Sequence, residues 1–193
     1  MNLKKEDYPV TVLYDFDLGE FSPKERSVAR KVSDLSPMFH DKAATEALIK
    51  QGDPLVYEIF YYGFKTSLSD MALGTTRIQP GKVGDEYYMT KGHFHAAENQ
   101  PEIYFCVKGQ GNLLMQTIEG EFLAERWKVG TISHIPPMWA HRVVNTGNEP
   151  LVFVASYHLS AGHNYGPIEE KGFRKLLVER NGKPEFVLNE QWK

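Results

Sequence analysis

Apolar and polar residues alternate with a period of two along most of the chain beyond residue 54, which is the pattern of half-buried β-strands. The segments that share this pattern and are rich in β-branched and aromatic residues are 55–62, 71–79, 87–95, 102–107, 112–117, 121–127, 131–135, 141–144 and 151–157. Turn residues such as Pro80-Gly81, Glu119-Gly120 and Asn181-Gly182 lie between or after them. Short strands at this spacing predict an all-β sandwich or barrel.

The N-terminal part of the chain has a different pattern. Asp41 is suited to cap a helix, apolar residues follow it near helical spacing, and Gly52 with Pro54 supplies the stop. This is the one helix that the sequence predicts. Residues 10–14 predict a short strand, whereas residues 22–33 are charged, have no clear apolar face and suggest an arm or a single helical turn.

The composition is that of one globular domain, because the chain has 193 residues, of which 41% are hydrophobic and 24% charged. The net charge of −3 provides no basic surface for nucleic acid. The single cysteine, Cys106, excludes an internal disulfide and fits a reducing compartment. The N-terminus is charged, and no apolar run approaches the roughly 20 residues that span a bilayer. We therefore expect a cytoplasmic protein that binds neither nucleic acid nor membranes.

Histidines and a carboxylate in the middle of the chain are candidate metal ligands. On a β-strand His93 and His95 point to the same face, since the side-chain period is two. Glu102 begins the next predicted strand after a turn and can face back toward them. His141 follows the Pro136-Pro137 turn at the head of another strand. Imidazole nitrogens and a carboxylate oxygen on one face can form an open site for a divalent metal.

The strand at 102–107 alternates strongly. Its even-numbered positions form one face, while Ile103, Phe105 and Val107 form an apolar face on the other side. If the first face lines a cavity, the apolar face must be covered. Either the N-terminal strands or a second subunit could cover it.

Several motifs together carry a family resemblance, namely Thr90-Lys-Gly-His-Phe-His-Ala96, Glu102-Ile-Tyr104, Pro136-Pro-Met-Trp-Ala-His-Arg142 and Ala161-Gly-His-Asn-Tyr-Gly166. The histidine and glutamate segments resemble the paired motifs of the cupin superfamily. All the motifs in this order are similar to the cupin-type glucose-6-phosphate isomerases, over most of residues 53–173. The resemblance implies a single cupin domain over residues 1–193, a double-stranded β-helix or jelly-roll-like barrel. Its core would lie at about 53–173, and residues 1–52 would form an N-terminal arm with extra strands and a short helix.

The activity that this resemblance implies is the reversible interconversion of glucose 6-phosphate and fructose 6-phosphate in glycolysis and gluconeogenesis, by a homodimer. The implied metal ligands are His93, His95, Glu102 and His141. They would hold one divalent ion per subunit, iron(II), with Mn²⁺, Ni²⁺ or Zn²⁺ as substitutes. Glu102 is also the implied catalytic residue, which moves a proton between neighbouring carbons. A hydride shift assisted by the metal is the alternative mechanism.

The implied substrate-binding residues fall into two groups. Those expected to line the phosphate pocket are Thr76, Thr90, Gly92 and Tyr157. Those expected to contact the sugar hydroxyls are Tyr104, His163 and Tyr165. Lys91 alternates away from Thr90 and Gly92, so we expect it to face outward.

Two other functions use the same scaffold and ligands. An iron dioxygenase also needs histidine and carboxylate ligands with open positions, and oxygen uptake would identify it. A non-enzymatic sugar-binding cupin would bind ligand without turnover. A phosphate pocket distinguishes the isomerase from a dioxygenase that acts on an apolar substrate.

Overall fold

The computed structural model describes residues 4–66 and 70–192. Its strands are β1 (Leu13–Asp15), β2 (Glu20–Ser22), β3 (Arg26–Lys31), β4 (Leu55–Lys65), β5 (Asp70–Ile78), β6 (Lys82–Val83), β7 (Glu86–Tyr87), β8 (Glu102–Lys108), β9 (Gln110–Gln116), β10 (Phe122–Lys128), β11 (Ile132–Ile135), β12 (Ala140–Asn145), β13 (Leu151–His158), β14 (Lys175–Arg180) and β15 (Lys183–Leu188). The α-helices are α1 (Lys42–Lys50) and α2 (Gly166–Lys171). Short 3-10 helices span Lys5–Asp7, Ser33–Leu35, Leu159–Ala161 and Glu190–Trp192.

The barrel is built from a large and a small antiparallel sheet. The large sheet has six strands in the order β11-β8-β13-β5-β4-β3, and the small one has three in the order β10-β9-β12. Side chains of both sheets, such as Phe153 and Cys106 of the large sheet and Leu113 and Val143 of the small one, meet in one hydrophobic core. The prediction of an all-β, cupin-type barrel is thereby confirmed. A further sheet, β15-β14-β7-β6, and the hairpin β1-β2 are added to it.

The predicted N-terminal helix is confirmed as α1. Asp41 caps it, because its Oδ1 accepts a hydrogen bond of 2.9 Å from the backbone N–H of Ala44. Leu48 and Ile49 pack against the core from this helix. Both α-helices are short, and within residues 4–66 and 70–192 no helix has the length and apolar character needed to cross a membrane.

The interpretation of residues 22–33 as an arm or a helical turn is wrong in its central part. Arg26–Lys31 form strand β3, which pairs with β4 at the edge of the large sheet. An edge strand exposes much of its surface, so charged residues are favourable there and no apolar face is required. The predicted strand at 10–14 lies instead at Leu13–Asp15, where it pairs with β2.

The C-terminal part contains elements that the sequence analysis did not predict. Helix α2 begins at Gly166, the last residue of the Ala161–Gly166 motif, and the sequence analysis predicted no helix there. Strands β14 and β15 form a hairpin whose turn is the predicted Asn181-Gly182 pair, with positive φ angles of 52° and 71°. The turn was recognisable because asparagine and glycine tolerate left-handed backbone angles.

Strand register brings the inward-facing residues into one wall. β13 lies between β5 and β8, so Tyr157 is opposite Glu102, and Ala155 is opposite Tyr104. Thr76 of β5 is opposite Phe153 on the same side. Residues from three consecutive strands of the sheet therefore face the same cavity.

Candidate metal centre

The predicted ligands His93, His95, Glu102 and His141 form one cluster, in which a ligand atom from each lies within 4.8 Å of the others. Glu102 is at its centre. Its Oε2 lies 3.2 Å from Nε2 of His95 and 3.0 Å from Nε2 of His141. His95, Glu102 and His141 are buried, so water does not compete freely for these atoms.

Cross-strand pairing between the two sequence motifs places the histidines together. His93 and His141 are bridged directly, through backbone hydrogen bonds of 3.3 Å from His93 N and 3.1 Å from His141 N. The predicted strand at 87–95 is not continuous, because β7 ends at Tyr87 and Gly92 has a φ of +77°. His93 and His95 still converge, since pairing resumes at His93.

Backbone carbonyls orient two of the imidazoles. Nδ1 of His95 lies 2.7 Å from the carbonyl oxygen of Gln100, and Nδ1 of His141 lies 3.2 Å from that of Trp139. A carbonyl can only accept, so Nδ1 carries the proton in each ring. This leaves the Nε2 lone pairs directed at the cluster, which is the arrangement that metal-binding histidines commonly have.

The electrostatics of His93 and Glu102 favour the protonation states that bind metal. At His95 burial lowers the pKa, but the hydrogen bonds to Glu102 and Gln100 outweigh it and the pKa is raised. Burial, together with the nearby rings of His141, His163 and His95, lowers the pKa of His93 well below its ordinary value. Burial alone would raise the pKa of Glu102, but the imidazoles of His141 and His95 outweigh it and the pKa is lowered. A neutral imidazole and an ionised carboxylate are the forms that coordinate a divalent ion.

The donor set also fits a metal. Nε2 of His141 is buried and has no hydrogen-bond partner among the described residues, although Oε2 of Glu102 lies 3.0 Å away. Neither atom carries a hydrogen when His141 is protonated on Nδ1 and Glu102 is ionised. A buried polar atom without a partner is costly unless something else satisfies it. Nitrogen and oxygen donors without a thiolate suit several first-row divalent ions. The cluster can therefore hold such an ion.

A cavity that opens to solvent adjoins this cluster. Every residue predicted to bind substrate lines it: Thr76, Thr90, Gly92, Tyr104, Tyr157, His163 and Tyr165. Tyr57 and Tyr61 of β4 line it as well, and the sequence analysis did not select them. Tyr57 and Tyr61 are four residues apart on the predicted strand at 55–62. This even spacing puts both side chains on one face and was the feature that could have identified them. The roles of all these residues remain predictions.

Hydrogen-bond donors without protein partners lie on the cavity wall. Thr90 Oγ1 accepts a hydrogen bond of 3.1 Å from the backbone N–H of Val143, which leaves its hydroxyl hydrogen free. Thr76 is 5% exposed, and its hydroxyl makes no hydrogen bond with another described residue. Such donors suit a ligand that is rich in acceptor oxygens.

Lys91 also lines the cavity, so the expectation that it faces outward is wrong. Its Nζ lies 2.6 Å from Oε1 of Glu169 on α2 and 4.3 Å from the ring centre of Tyr165. The alternation of a regular strand does not hold here because the positive φ of Gly92 interrupts it.

The segment before α2 brings two aromatic side chains to the cavity. The rings of His163 and Tyr165 are parallel within 3°, with centres 5.6 Å apart. The ring of His163 is 4.3 Å from that of His93. The turn that joins β13 to α2 therefore determines where these two rings lie in the cavity wall.

Comparison with known proteins identifies the family. The profile described as glucose-6-phosphate isomerase (GPI) matches residues 29–191. The glucose-6-phosphate isomerase of Thermococcus litoralis is 43% identical over 185 residues, which are 96% of this chain and 97% of that protein. A putative glucose-6-phosphate isomerase 2 of Rhizobium meliloti is 36% identical over 169 residues, covering 87% of this chain and 84% of that protein.

Among solved structures, an oxalate decarboxylase from Bacillus subtilis is 22% identical, with a TM-score of 0.46 over 56% of this chain and 26% of that chain. This partial likeness has no bearing on activity. The profile match and the near full-length relatives are decisive, and the chain belongs to the cupin-type glucose-6-phosphate isomerase family.

Proposed function

We propose that this chain is a metal-dependent aldose–ketose isomerase that interconverts glucose 6-phosphate and fructose 6-phosphate. The observation that carries the proposal is the adjacency of the metal cluster and the free hydroxyl donors in one cavity. A site for a sugar phosphate needs both features. A metal can bind the two oxygens at the reacting end, and hydroxyl donors can bind the phosphate at the other end. Family membership supports the same conclusion.

The metal would be held by His93, His95, Glu102 and His141. When bound, a divalent ion supplies positive charge for the substrate oxygens on C1 and C2 as negative charge develops on them. Iron(II) is our proposal, with Mn²⁺, Ni²⁺ and Zn²⁺ as substitutes, since this donor set accepts them all.

Glu102 would move the proton between C1 and C2. Its lowered pKa keeps it ionised and thus able to accept a proton, although a carboxylate that also binds a metal is a weaker base. The alternative is a direct hydride shift, in which Glu102 would serve only as a ligand. Exchange of the transferred hydrogen with solvent separates these mechanisms, because only the proton route allows it.

The remaining residues would bind the substrate through neutral groups. Thr76, Thr90, Gly92 and Tyr157 are proposed to line the phosphate pocket. Tyr104, His163 and Tyr165 are proposed to contact the sugar hydroxyls. Burial and the Glu102 carboxylate raise the pKa of Tyr104 well above its ordinary value, so it would donate as a neutral phenol.

We also propose that the enzyme is a homodimer in the cytoplasm. Ile103 and Phe105 on the outer face of β8 are 49% and 38% exposed, and Ile132, opposite Phe105 on β11, is 67% exposed. A contiguous apolar strand face is usually covered in the functional protein. A second copy could cover it symmetrically.

An assay before and after chelation tests the proposed activity. The purified protein should convert fructose 6-phosphate, lose this activity when the metal is removed, and regain it when a divalent ion is added. Adding each candidate ion to the same apo protein ranks the metals. Undiminished turnover by protein shown to be metal-free would overturn the proposal, and binding of sugar phosphate without turnover would indicate a binding protein.

A further inference from the structure

A fully buried arginine lies behind the cavity wall. Arg142 follows His141 on β12, is 2% exposed and does not line the cavity. Its Nη2 donates a hydrogen bond of 2.6 Å to the carbonyl oxygen of Lys91. Its guanidinium carbon lies 4.7 Å from the ring centre of Phe173. Arginine is almost never buried without a strong interaction, so this contact requires a function or a structural reason.

The contact determines the direction of the next peptide group. In a trans peptide the C=O and the N–H point in opposite directions, and the Lys91–Gly92 peptide is trans. Because Arg142 holds the Lys91 carbonyl, the N–H of Gly92 points away from Arg142. Gly92 lines the cavity, and its N–H makes no hydrogen bond with any described residue.

Glycine is required for this approach. Gly92 has a φ of +77°, and a Cβ at this position would lie 2.8 Å from the Phe173 ring and 3.1 Å from Nε of Arg142. The backbone therefore packs directly on the guanidinium and the aromatic ring. Any side chain here would push the peptide away from Arg142.

Among the described residues, the buried carboxylate that acts on the charge of Arg142 is that of Glu86. Glu86 is 1% exposed and acts electrostatically on Arg142. Its Oε2 accepts a hydrogen bond of 3.0 Å from the backbone N–H of His40. Glu86 Oε1 and Arg142 Nε are both buried without a hydrogen-bond partner among the described residues. Glu86 thus balances the charge without taking the guanidinium away from Lys91.

We propose that Arg142 is a positioning residue that fixes the Lys91–Gly92 peptide so that the Gly92 N–H is directed at the phosphate of the substrate. The inference rests on the proposed function, since it requires a phosphorylated ligand in the cavity. The positive charge behind the carbonyl also polarises the peptide and strengthens its N–H as a donor to an anion. The Gly92 N–H thereby attracts the phosphate more strongly than an ordinary backbone N–H would, although Arg142 itself does not contact the ligand.

Nuclear magnetic resonance on the wild-type protein tests the geometry directly. The zinc-loaded protein is diamagnetic, so the Gly92 amide can be observed during titration with sorbitol 6-phosphate and, separately, with sorbitol. A downfield proton shift of Gly92 with the phosphorylated ligand only is expected. An unchanged Gly92 amide at saturation with sorbitol 6-phosphate would overturn the inference.

Substitutions test the positioning role. Arg142→Lys retains the charge but shortens the reach, and Arg142→Met with Glu86→Gln removes both buried charges together. Either protein is expected to bind sorbitol 6-phosphate about tenfold more weakly by calorimetry, with a matching rise in KM for fructose 6-phosphate. Metal content and kcat should stay close to the wild type. Arg126→Met, at an exposed position on β10, is the matched control.

A loss of metal content, or a fall in kcat with an unchanged KM, would contradict the positioning role and make Arg142 a structural support of His141. The calorimetric measurement does not depend on turnover. If the wild type binds sorbitol 6-phosphate but isomerises nothing, the proposed activity fails while the inference about Arg142 stands. If the wild type is active and the variants bind normally, only the inference fails.

Discussion

Oε2 of Glu102 lies 3.0 Å from Nε2 of His141, although the two residues belong to strands of different sheets. Glu102 starts β8 in the large sheet, and His141 lies on β12 in the small one. The contact exists only when the two sheets close around the common core. Metal binding should therefore stabilise the closed barrel, because the ligands are brought together only in the folded state.

Replacing His141 by alanine should remove metal and activity together. The loss of activity should exceed the roughly 10- to 100-fold effect of removing a residue that only supports a ligand. Metal analysis and the isomerase assay on the same sample provide the measurement. His134→Ala, at an exposed position on β11, serves as the control. Normal metal occupancy in His141→Ala would remove this histidine from the ligand set.

Thr90→Val should weaken phosphorylated ligands about tenfold and non-phosphorylated sugars much less, because valine keeps the shape but lacks the hydroxyl donor. Thr90→Ser retains the hydroxyl and should bind nearly as well as the wild type. The dissociation constants of sorbitol 6-phosphate and sorbitol are the quantities to compare. Equal weakening of both ligands by Thr90→Val would exclude a phosphate-specific role.

Lys91→Met should weaken phosphorylated ligands several-fold, since Lys91 contributes a positive charge to the cavity wall. The free energy of unfolding should change by less than about 1 kcal/mol, because the ion pair with Glu169 is partly exposed. Lys128→Met removes an exposed charge outside the cavity and is the control. If salt weakens binding equally in the wild type and in Lys91→Met, Lys91 has no electrostatic role.

Protonation of His40 should stabilise the fold. Its hydrogen bond to Glu86 raises the pKa of His40, against an opposing effect of burial, and the charges of Glu86, Asp85 and Asp41 raise it further. The stabilisation is then complete below about pH 6.5, the ordinary histidine pKa, and is lost as pH rises through the higher pKa of the folded state.

Thermal unfolding of the wild type and of His40→Gln across this pH range measures the effect. The difference in Tm between the two proteins should shrink as the pH increases above 6.5. Asp85 also pairs with Arg180, so salt should be kept constant throughout the series. If the difference in Tm does not vary with pH, the pKa of His40 is the same in the folded and the unfolded protein.

Ile103→Glu should convert a dimer to a monomer, because it places a charge on the apolar face of β8. Light scattering coupled to size-exclusion chromatography gives the mass of each variant. Leu123→Glu is the matched control, since Leu123 is 47% exposed on β10 of the other sheet. If the wild type and Ile103→Glu have the same mass, any contact between subunits lies outside the apolar face of β8.

Much of the barrel could be predicted from the period-two pattern. Strands such as β8 and β13 have alternating or continuous apolar residues between clear turns, so local sequence and final structure agree. The edge strand β3 could not be predicted, because its charged residues are compatible with a strand only when β4 offers a pairing partner. Helix α2 is short, and isolated helices of its length are not stable without tertiary contacts such as those of buried Ile168.

The sequence by itself determined the types and order of the candidate ligands, because a histidine pair, a glutamate and a later histidine keep their chemistry in any fold. It also identified many of the residues that line the cavity, but not Tyr57 and Tyr61. Only the tertiary structure decided the direction of Lys91 and the hydrogen bond from Arg142 to its carbonyl. The physical reason is the left-handed backbone of Gly92, which is stabilised by packing on Phe173 and Arg142 from distant parts of the chain.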